Sequence, residues 1–271
     1  MTKAAVLGSP IAHSLSPVIH SCAYQVLGWD WSYEKHDVAS GGLAAFLENR
    51  KDEFRGLSLT MPLKEEALGI LDEVDDLAKQ VNGVNTIVFD ELGSTGYNTD
   101  VQGFRDSLAF HHFDIPARIT IIGGGATARS AIAAVDGQGR IITVFSRSEY
   151  RAKSLVNSAP KAIVNVLPWD RLDEGLDAPL VISTTPKGAT DGLGISRASG
   201  LLFESLYNPW PTLLLDRWRS LGGSIIDGLD LLVWQAIGQL EVMGFAGEEV
   251  IERRAELYVA MRAAALHTLQ P

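Results

Sequence analysis

The sequence predicts an α/β protein built on mainly parallel sheets. Two observations carry that expectation. Strand-like and helix-like segments alternate along nearly all of the 271 residues, and a glycine-rich strand–turn–helix unit lies near the middle of the chain.

From the N-terminus, "KAAVLG" reads as a strand and "SPVIHSCAYQVLG" as a helix opened by Ser16, with Pro17 at its first position. "WSYEKHDV" follows as a strand and "GGLAAFLENRK" as a helix. In "FRGLSLTM", Leu57, Leu59 and Met61 alternate with Ser58 and Thr60, the period-2 pattern of a half-buried strand with two hydroxyls on its polar face. Pro62 ends that strand, and "KEEALGILDEV" predicts a helix. Glu65 and Glu66 suit the positive end of its dipole; Lys64 does not, because the dipole there disfavours its charge. "NTIVFDELGSTGYNTD" reads as two short strands around a turn.

The texture changes at Asp100. "TDVQGFRDSLAFHH" predicts a connecting helix, and "ARITIIGGGATARSAIAAVDGQGRIITVFSR" a strand–turn–helix–strand unit. The alternation continues through "VNVLPW", "PLVISTTPKG" and "GLLFESLY", and the chain is helical in pattern from Leu229 onward. This divides it into an N-terminal domain to about Asp100, a second domain to about Asp227, and closing helices expected to return to the first. The apolar stripe of the last helix, with Leu257, Met261 and Leu266, reads as core packing.

Composition narrows the class of function. With 46% hydrophobic and 21% charged residues the chain has the balance of a soluble protein with a proper core. A net charge of -10 argues against nucleic acid or an anionic membrane surface as partner. The one cysteine, Cys22, allows neither an intrachain disulfide nor a Cys-based metal cluster. The six histidines show no metal-ligand spacing apart from the adjacent His111 and His112, which on a helix point about 100° apart, so no metal is expected. "MTKAAVLGSP" is too short an apolar run for a secretory signal, and no window approaches a membrane span. A soluble, cytoplasmic protein is expected.

The most specific chemical signal is Gly123-Gly124-Gly125-Ala126-Thr127-Ala128, which follows the strand "RITII" and opens a helix. It fits G-x-G-x-x-A, in which one glycine makes the tight turn, the next admits a pyrophosphate, and a small third residue lets helix and strand pack closely. The next strand ends in Ser146-Arg147-Ser148, with Arg151 just beyond, where an NAD-binding unit usually has an acid for the ribose 2′-hydroxyl. Arginines there suit a 2′-phosphate and favour NADP, against the alternative of a solvated pair. In "GSPIAHSLSPVIH", Ser14 and Ser16 stand two apart in an extended loop and could grip a polyol. Ser16 before Pro17 is also a natural helix N-cap, whereas Ser14 has no such local use. Asn85 and Asp100 fall at strand ends, where such residues are often turn formers.

Taken together, "SPIAHSLSP", "SLTMPLKEEA", "VNTIV", "YNTDVQGF", "IIGGGATARSA", "SRSEYR", "YNPWPT" and "DGLDLLVWQA" resemble, in order over nearly the whole chain, the shikimate dehydrogenase family. The resemblance implies NADP-dependent, reversible reduction of 3-dehydroshikimate to shikimate in aromatic amino-acid biosynthesis. It implies a discontinuous substrate domain over residues 1–100 and 236–271, a Rossmann-type NADP domain over 101–235, and an active site in the cleft between them. Lys64 and Asp100 would be the catalytic pair, and Ser14 and Ser16 would bind the substrate carboxylate. Thr60, Asn85, Asp100 and Gln235 would hold ring hydroxyls, with Tyr207 also facing the substrate. Gly123, Gly124, Gly125, Ala126 and Thr127, with Ser146, Arg147, Ser148 and Arg151, would bind NADP(H), and Gly228 would lie near the nicotinamide. A monomer or homodimer acting on a small molecule is expected. The sequence departs from the family pattern at Ser58, usually Asn, where a side-chain contact near the ring would be shortened or water-mediated. It departs more mildly in the glycine loop, usually G-A-G-G-A, and at Ser146-Arg147-Ser148, usually Asn-Arg-Thr. Rival readings are a quinate/shikimate dehydrogenase of broader polyol and cofactor range, a non-catalytic NADP- or shikimate-binding sensor, and a one-carbon folate dehydrogenase.

Overall fold

Helix punctuation and apolar strands divide the chain into two α/β units in the computed structural model, which describes residues 1–244 and 247–270. Unit one is Met1–Thr99 with Val233–Pro271, and unit two is Asp100–Leu232. Residue 271, the limit of the expected 236–271 segment, lies outside the described residues.

In unit one, β1 (Thr2–Gly8) leads to α1 (Ser16–Leu27), which carries Pro in its first turn and stops at Gly28, whose φ of 68° places it in the left-handed region. β2 (Trp31–Asp37), α2 (Leu43–Arg50) and β3 (Gly56–Leu59) follow, then β4 (Glu73–Val74), α3 (Asp76–Gln80), β5 (Thr86–Asp90) and β6 (Gly93–Tyr97). The sheet order is β2-β1-β3-β5-β6-β4. β1 pairs in parallel with β2 and β3, while β5 runs antiparallel to β3 and β6. Leu7, Leu57, Leu59, Leu63, Ala67 and Ile87 belong to one buried cluster on this sheet.

Unit two opens with α4 (Asp100–Phe110) and continues as β7 (Arg118–Ile122), α5 (Ala126–Ala134), β8 (Ile141–Ser146), α6 (Ala152–Asn157) and β9 (Ile163–Pro168). β10 (Leu180–Ser183), β11 (Leu201–Glu204), α7 (Leu213–Ser220) and β12 (Ser224–Ile226) complete it. Its sheet has the order β12-β11-β10-β7-β8-β9, and all its strand pairs are parallel. Apolar runs such as "RITII" and "LVIS" are what a parallel sheet covered on both faces requires. The order reverses between β7 and β10, the topological switch point at which doubly wound sheets bind ligands. The last helices are α8 (Gly228–Met243), α9 (Gly247–Glu252) and α10 (Arg254–Leu269). On α10, Leu257 and Met261 are buried and Leu266 is half-buried.

The segment after β3 corrects two expectations. β3 has four residues, all buried, and Met61 is 63% exposed, so the strand is an interior one rather than half-buried. The expected helix over "KEEALGILDEV" is a single 3-10 turn, Glu66–Gly69, followed by the short strand β4. The backbone bonds here are not those of an α-helix: the Lys64 carbonyl accepts from Val84 N at 2.8 Å, and Leu68 N, its partner in an α-helix, donates to Glu65 O at 3.4 Å instead. Lys64 therefore sits in a turn, and the helix-dipole account of its charge falls away. Glu66 does serve a helix start, but that of α2, accepting from Gly41 N at 2.8 Å and Leu43 N at 2.9 Å.

Candidate active site

Strand direction gathers the polar candidates of unit one at one sheet edge. β1 and β3 are parallel, so the loops after them share an edge; β5 is antiparallel to β3, so its start lies at that edge too. Ser14 and Ser16 follow β1, Thr60 and Lys64 follow β3, Asn85 precedes β5, and Thr99 follows β6. Backbone bonds tie these loops together. Thr60 N donates to Leu7 O at 2.9 Å, Ser9 N to Met61 O at 3.0 Å, Leu59 N to Asn85 O at 2.7 Å, and Asn85 N to Tyr97 O at 2.9 Å.

The two serines exchange the local uses expected of them. Leu15, not Ser16, occupies the N-cap of α1, and Ser16 is already inside the helix. The Ser14 hydroxyl accepts from Ser16 N at 3.3 Å and so serves the helix start. The reason is that Pro17 falls one position further into the helix than the sequence expectation placed it. The Ser16 carbonyl in turn accepts from His20 Nδ1 at 2.9 Å.

Asn85 is 1% exposed and held by side chains rather than by a turn. Its Oδ1 accepts from Thr99 N and from Thr86 Oγ1, each at 2.8 Å, and its Nδ2 donates to Thr99 Oγ1 at 2.9 Å. A backbone N–H only donates, so Thr99 settles which end of the amide is oxygen. Behind Asn85 stands Gln239 of α8, which sequence reading missed. Its Nε2 donates to Asn85 O at 3.3 Å and Thr86 Oγ1 at 3.2 Å, and its Oε1 accepts from Ser58 Oγ at 2.9 Å. Ser58 accepts from Tyr33 OH at 2.6 Å, and burial pushes the Tyr33 phenol upward, keeping it a donor. Ser58 is thus engaged inside unit one, between Tyr33 and Gln239. A glutamine four residues after Gln235, with only Asp230 and Glu241 as the other polar side chains of the helix, was the available signal. His20 stacks on Tyr33 with centroids 4.0 Å apart, and burial lowers its pKa to about 4. Gln235, on the same helix as Gln239, is half-buried.

In unit two the loops after β7, β8 and β10 converge. Gly123 has φ 125°, and a Cβ there would lie 2.4 Å from Thr184 Oγ1; one at Gly124 would lie 2.4 Å from Ser146 Oγ. Gly125 is the N-cap of α5, with Ala126 and Thr127 in its first turn and no acid to offset the positive end of its dipole. Ser146 is buried and accepts from Ser148 N at 3.2 Å, which shapes the turn at the end of β8. Arg151 Nη1 donates to Gly124 O at 3.2 Å, while the exposed Arg147 guanidinium lies over Trp169, 5.4 Å from the ring centroid. A side-chain-free turn, an open helix N-terminus and two guanidiniums fit a dinucleotide carrying a 2′-phosphate.

Asp100 is the first residue of α4 and 4% exposed, a helix start rather than the strand end expected. Tyr207 is half-buried in the loop after β11. That loop is tied down by Glu204, which accepts from Leu206 N at 3.2 Å and Thr212 Oγ1 at 3.4 Å; burial raises its carboxyl to about 7. Gly228 is buried where α8 begins, and a Cβ there would lie 2.6 Å from the Leu206 carbonyl. Among the described residues, no group of three or more His, Cys, Asp or Glu could hold a metal ion, and no helix is long and apolar enough to cross a membrane.

The chain is similar to known proteins over almost its whole length. A family model described as the shikimate dehydrogenase substrate binding domain matches residues 6–87. The NADP(+) shikimate dehydrogenase of Oleidesulfovibrio alaskensis is 32% identical over 270 residues, covering 94% of this chain and 93% of the relative. The crystal structure of shikimate dehydrogenase from Mycobacterium tuberculosis superposes with a TM-score of 0.83 at 32% identity, covering 97% of this chain and 100% of that one. That of the shikimate 5-dehydrogenase from Thermus thermophilus, in complex with NADP(H) and shikimate, gives 0.80 at 29% identity with the same coverage.

Proposed function

The chain belongs to the shikimate dehydrogenase family, and from that premise we propose how its own residues divide the work of the reaction. It is an NADP-dependent oxidoreductase that interconverts 3-dehydroshikimate and shikimate in aromatic amino-acid biosynthesis. The observation that carries the assignment of residues is the gathering of Ser14, Ser16, Thr60, Lys64 and Asn85 at one edge of the sheet of unit one.

When bound, the nicotinamide of NADPH supplies a hydride to the ring ketone. As negative charge develops on the ketone oxygen, Lys64, as the ammonium, donates a proton to it; in the oxidative direction the neutral amine takes that proton back. Asp100 is the second member of the catalytic pair, a carboxylate that accepts from a ring hydroxyl. Ser14 and Ser16 bind the substrate carboxylate, and Thr60, Asn85 and Gln235 hold ring hydroxyls, with Tyr207 against the substrate. Arg147 and Arg151 read the 2′-phosphate, Ser146 and Ser148 shape the turn that presents them, and the Gly123–Thr127 loop holds the pyrophosphate. Gly228 keeps the nicotinamide side free of a side chain. The reading places the enzyme in the cytoplasm, as a monomer or homodimer.

The test is initial-rate reduction of NADP and of NAD with shikimate and with quinate. Turnover confined to shikimate with NADP is expected. Strong quinate turnover with NAD would move the protein to the broader polyol dehydrogenases and remove Arg147 from its role. NADP binding with no turnover in any combination would leave a sensor.

A further inference from the structure

Each hydroxyl and amide behind Asn85 has its direction set by a neighbour. Tyr33 OH donates to Ser58 Oγ, Ser58 donates to Gln239 Oε1, Gln239 Nε2 donates to Thr86 Oγ1, and Thr86 donates to Asn85 Oδ1. Gln239 cannot be turned round, because its second Nε2 bond is to the Asn85 carbonyl, which only accepts. Gln239 is 2% exposed and Ser58 is 4% exposed, so the chain of bonds runs through the interior of unit one, where a half-satisfied polar network is costly. It starts on β2, crosses β3, passes to α8 and ends on the residue that opens the way into β5. Every residue of that path belongs to unit one.

We propose that Gln239 is a positioning residue for substrate binding, which, supported by Ser58 and Tyr33, holds the Asn85 amide in the orientation that receives a ring hydroxyl. This rests on the reading of Asn85 as a substrate ligand. It assigns a purpose to serine at position 58: a hydroxyl there both accepts from Tyr33 and donates to Gln239, whereas a side chain unable to do both would leave a buried group unpaired. The stack of His20 on Tyr33, with its bond to the Ser16 carbonyl, extends the same support toward the serine loop.

The experiment is a double-mutant cycle between positions 239 and 85, read as KM for shikimate, KM for NADP and kcat. Gln239→Leu is expected to raise KM for shikimate about tenfold, the effect of one lost, well-placed hydrogen bond, with KM for NADP within about twofold of wild type. In an Asn85→Ala background, Gln239→Leu should add about twofold or less, because the group it positions is gone. A general loosening of the fold would raise KM by the same factor in both backgrounds, and that result overturns the inference. So does a KM for NADP that rises in step. Tyr33→Phe, which keeps the ring on His20 and removes only the first bond, provides the mildest variant should Gln239→Leu fold poorly; an unchanged KM for shikimate in it would also count against the chain. If wild type turns over shikimate but Asn85→Ala leaves its KM unchanged, the assignment of Asn85 fails and this inference with it. If wild type does not turn over shikimate at all, the fault lies in the proposed function.

Discussion

The two units solve the same problem, holding polar groups at a sheet edge, by opposite means. Unit one does it with side chains bonded to side chains: Tyr33, Ser58, Gln239, Thr86 and Asn85 form a buried series on a mixed sheet. Unit two does it with the backbone, through residues with no side chain where loops meet, Gly123 against Thr184 and Gly124 against Ser146. The difference follows from what each would bind. A pyrophosphate is satisfied by N–H groups and a helix end, which any sequence supplies once Cβ atoms are out of the way. A ring of hydroxyls needs donors and acceptors in a set order, which only oriented side chains provide. Unit one should therefore be sensitive to chemical identity, and unit two to added volume.

The largest expected effect is in unit one. Lys64→Ala should lower turnover by roughly 10²–10⁴-fold, the usual size of general acid–base assistance, with the protein still folded. Near-normal turnover in steady-state assays would remove Lys64 from the chemistry.

The second prediction concerns pH, where the units differ in sign. His20 has its folded pKa lowered from 6.5 to about 4, so its neutral form contributes stability above pH 6.5 that is lost as pH falls through about 4. Glu204 has its folded pKa raised from 4.5 to about 7, so its contribution is present below pH 4.5 and lost as pH rises through about 7. Each shift corresponds to about 3 kcal/mol, and over the shared window the two slopes oppose each other. Denaturant unfolding between pH 4 and 8 should show His20→Phe losing stability with rising pH relative to wild type, and Glu204→Gln gaining it. Parallel curves for the two variants would refute this pairing.

Adding volume to unit two comes third. Gly123→Ala puts a Cβ 2.4 Å from Thr184 Oγ1 on a backbone with φ 125°. It should destabilise by about 2 kcal/mol and weaken the cofactor, with shikimate binding in calorimetry unchanged. The smallest effect tests identity where unit two does use side chains. Arg147→Ala should raise KM for NADP about tenfold and leave that for NAD nearly unchanged, whereas an equal loss for both would mean Arg147 does not read the 2′-phosphate.

Much of this was legible in the chain. The alternation of apolar strands and helices, the Gly123–Ala128 turn after "RITII", and Arg147 at the end of the following strand are local patterns, and local patterns need no partner to be read. The helix read over "KEEALGILDEV" and the capping role read for Ser16 were local patterns too; the first yielded to tertiary structure and the second to a neighbour, Ser14, whose hydroxyl accepts from Ser16 N. Val84 N takes the Lys64 carbonyl that a helix would have used, and Leu15 rather than Ser16 stands at the start of α1. Ser58 looked like a departure near a substrate ring until the fold set it between Tyr33 and Gln239, 25 and 181 residues away along the chain. The sequence by itself determined where most of the longer strands lie, which turn is free of side chains and which cations follow it, because periodicity and glycine act within a few residues. Only the tertiary structure decided what Lys64 sits on and what holds Asn85, because a buried hydrogen bond between distant residues leaves no period in the sequence.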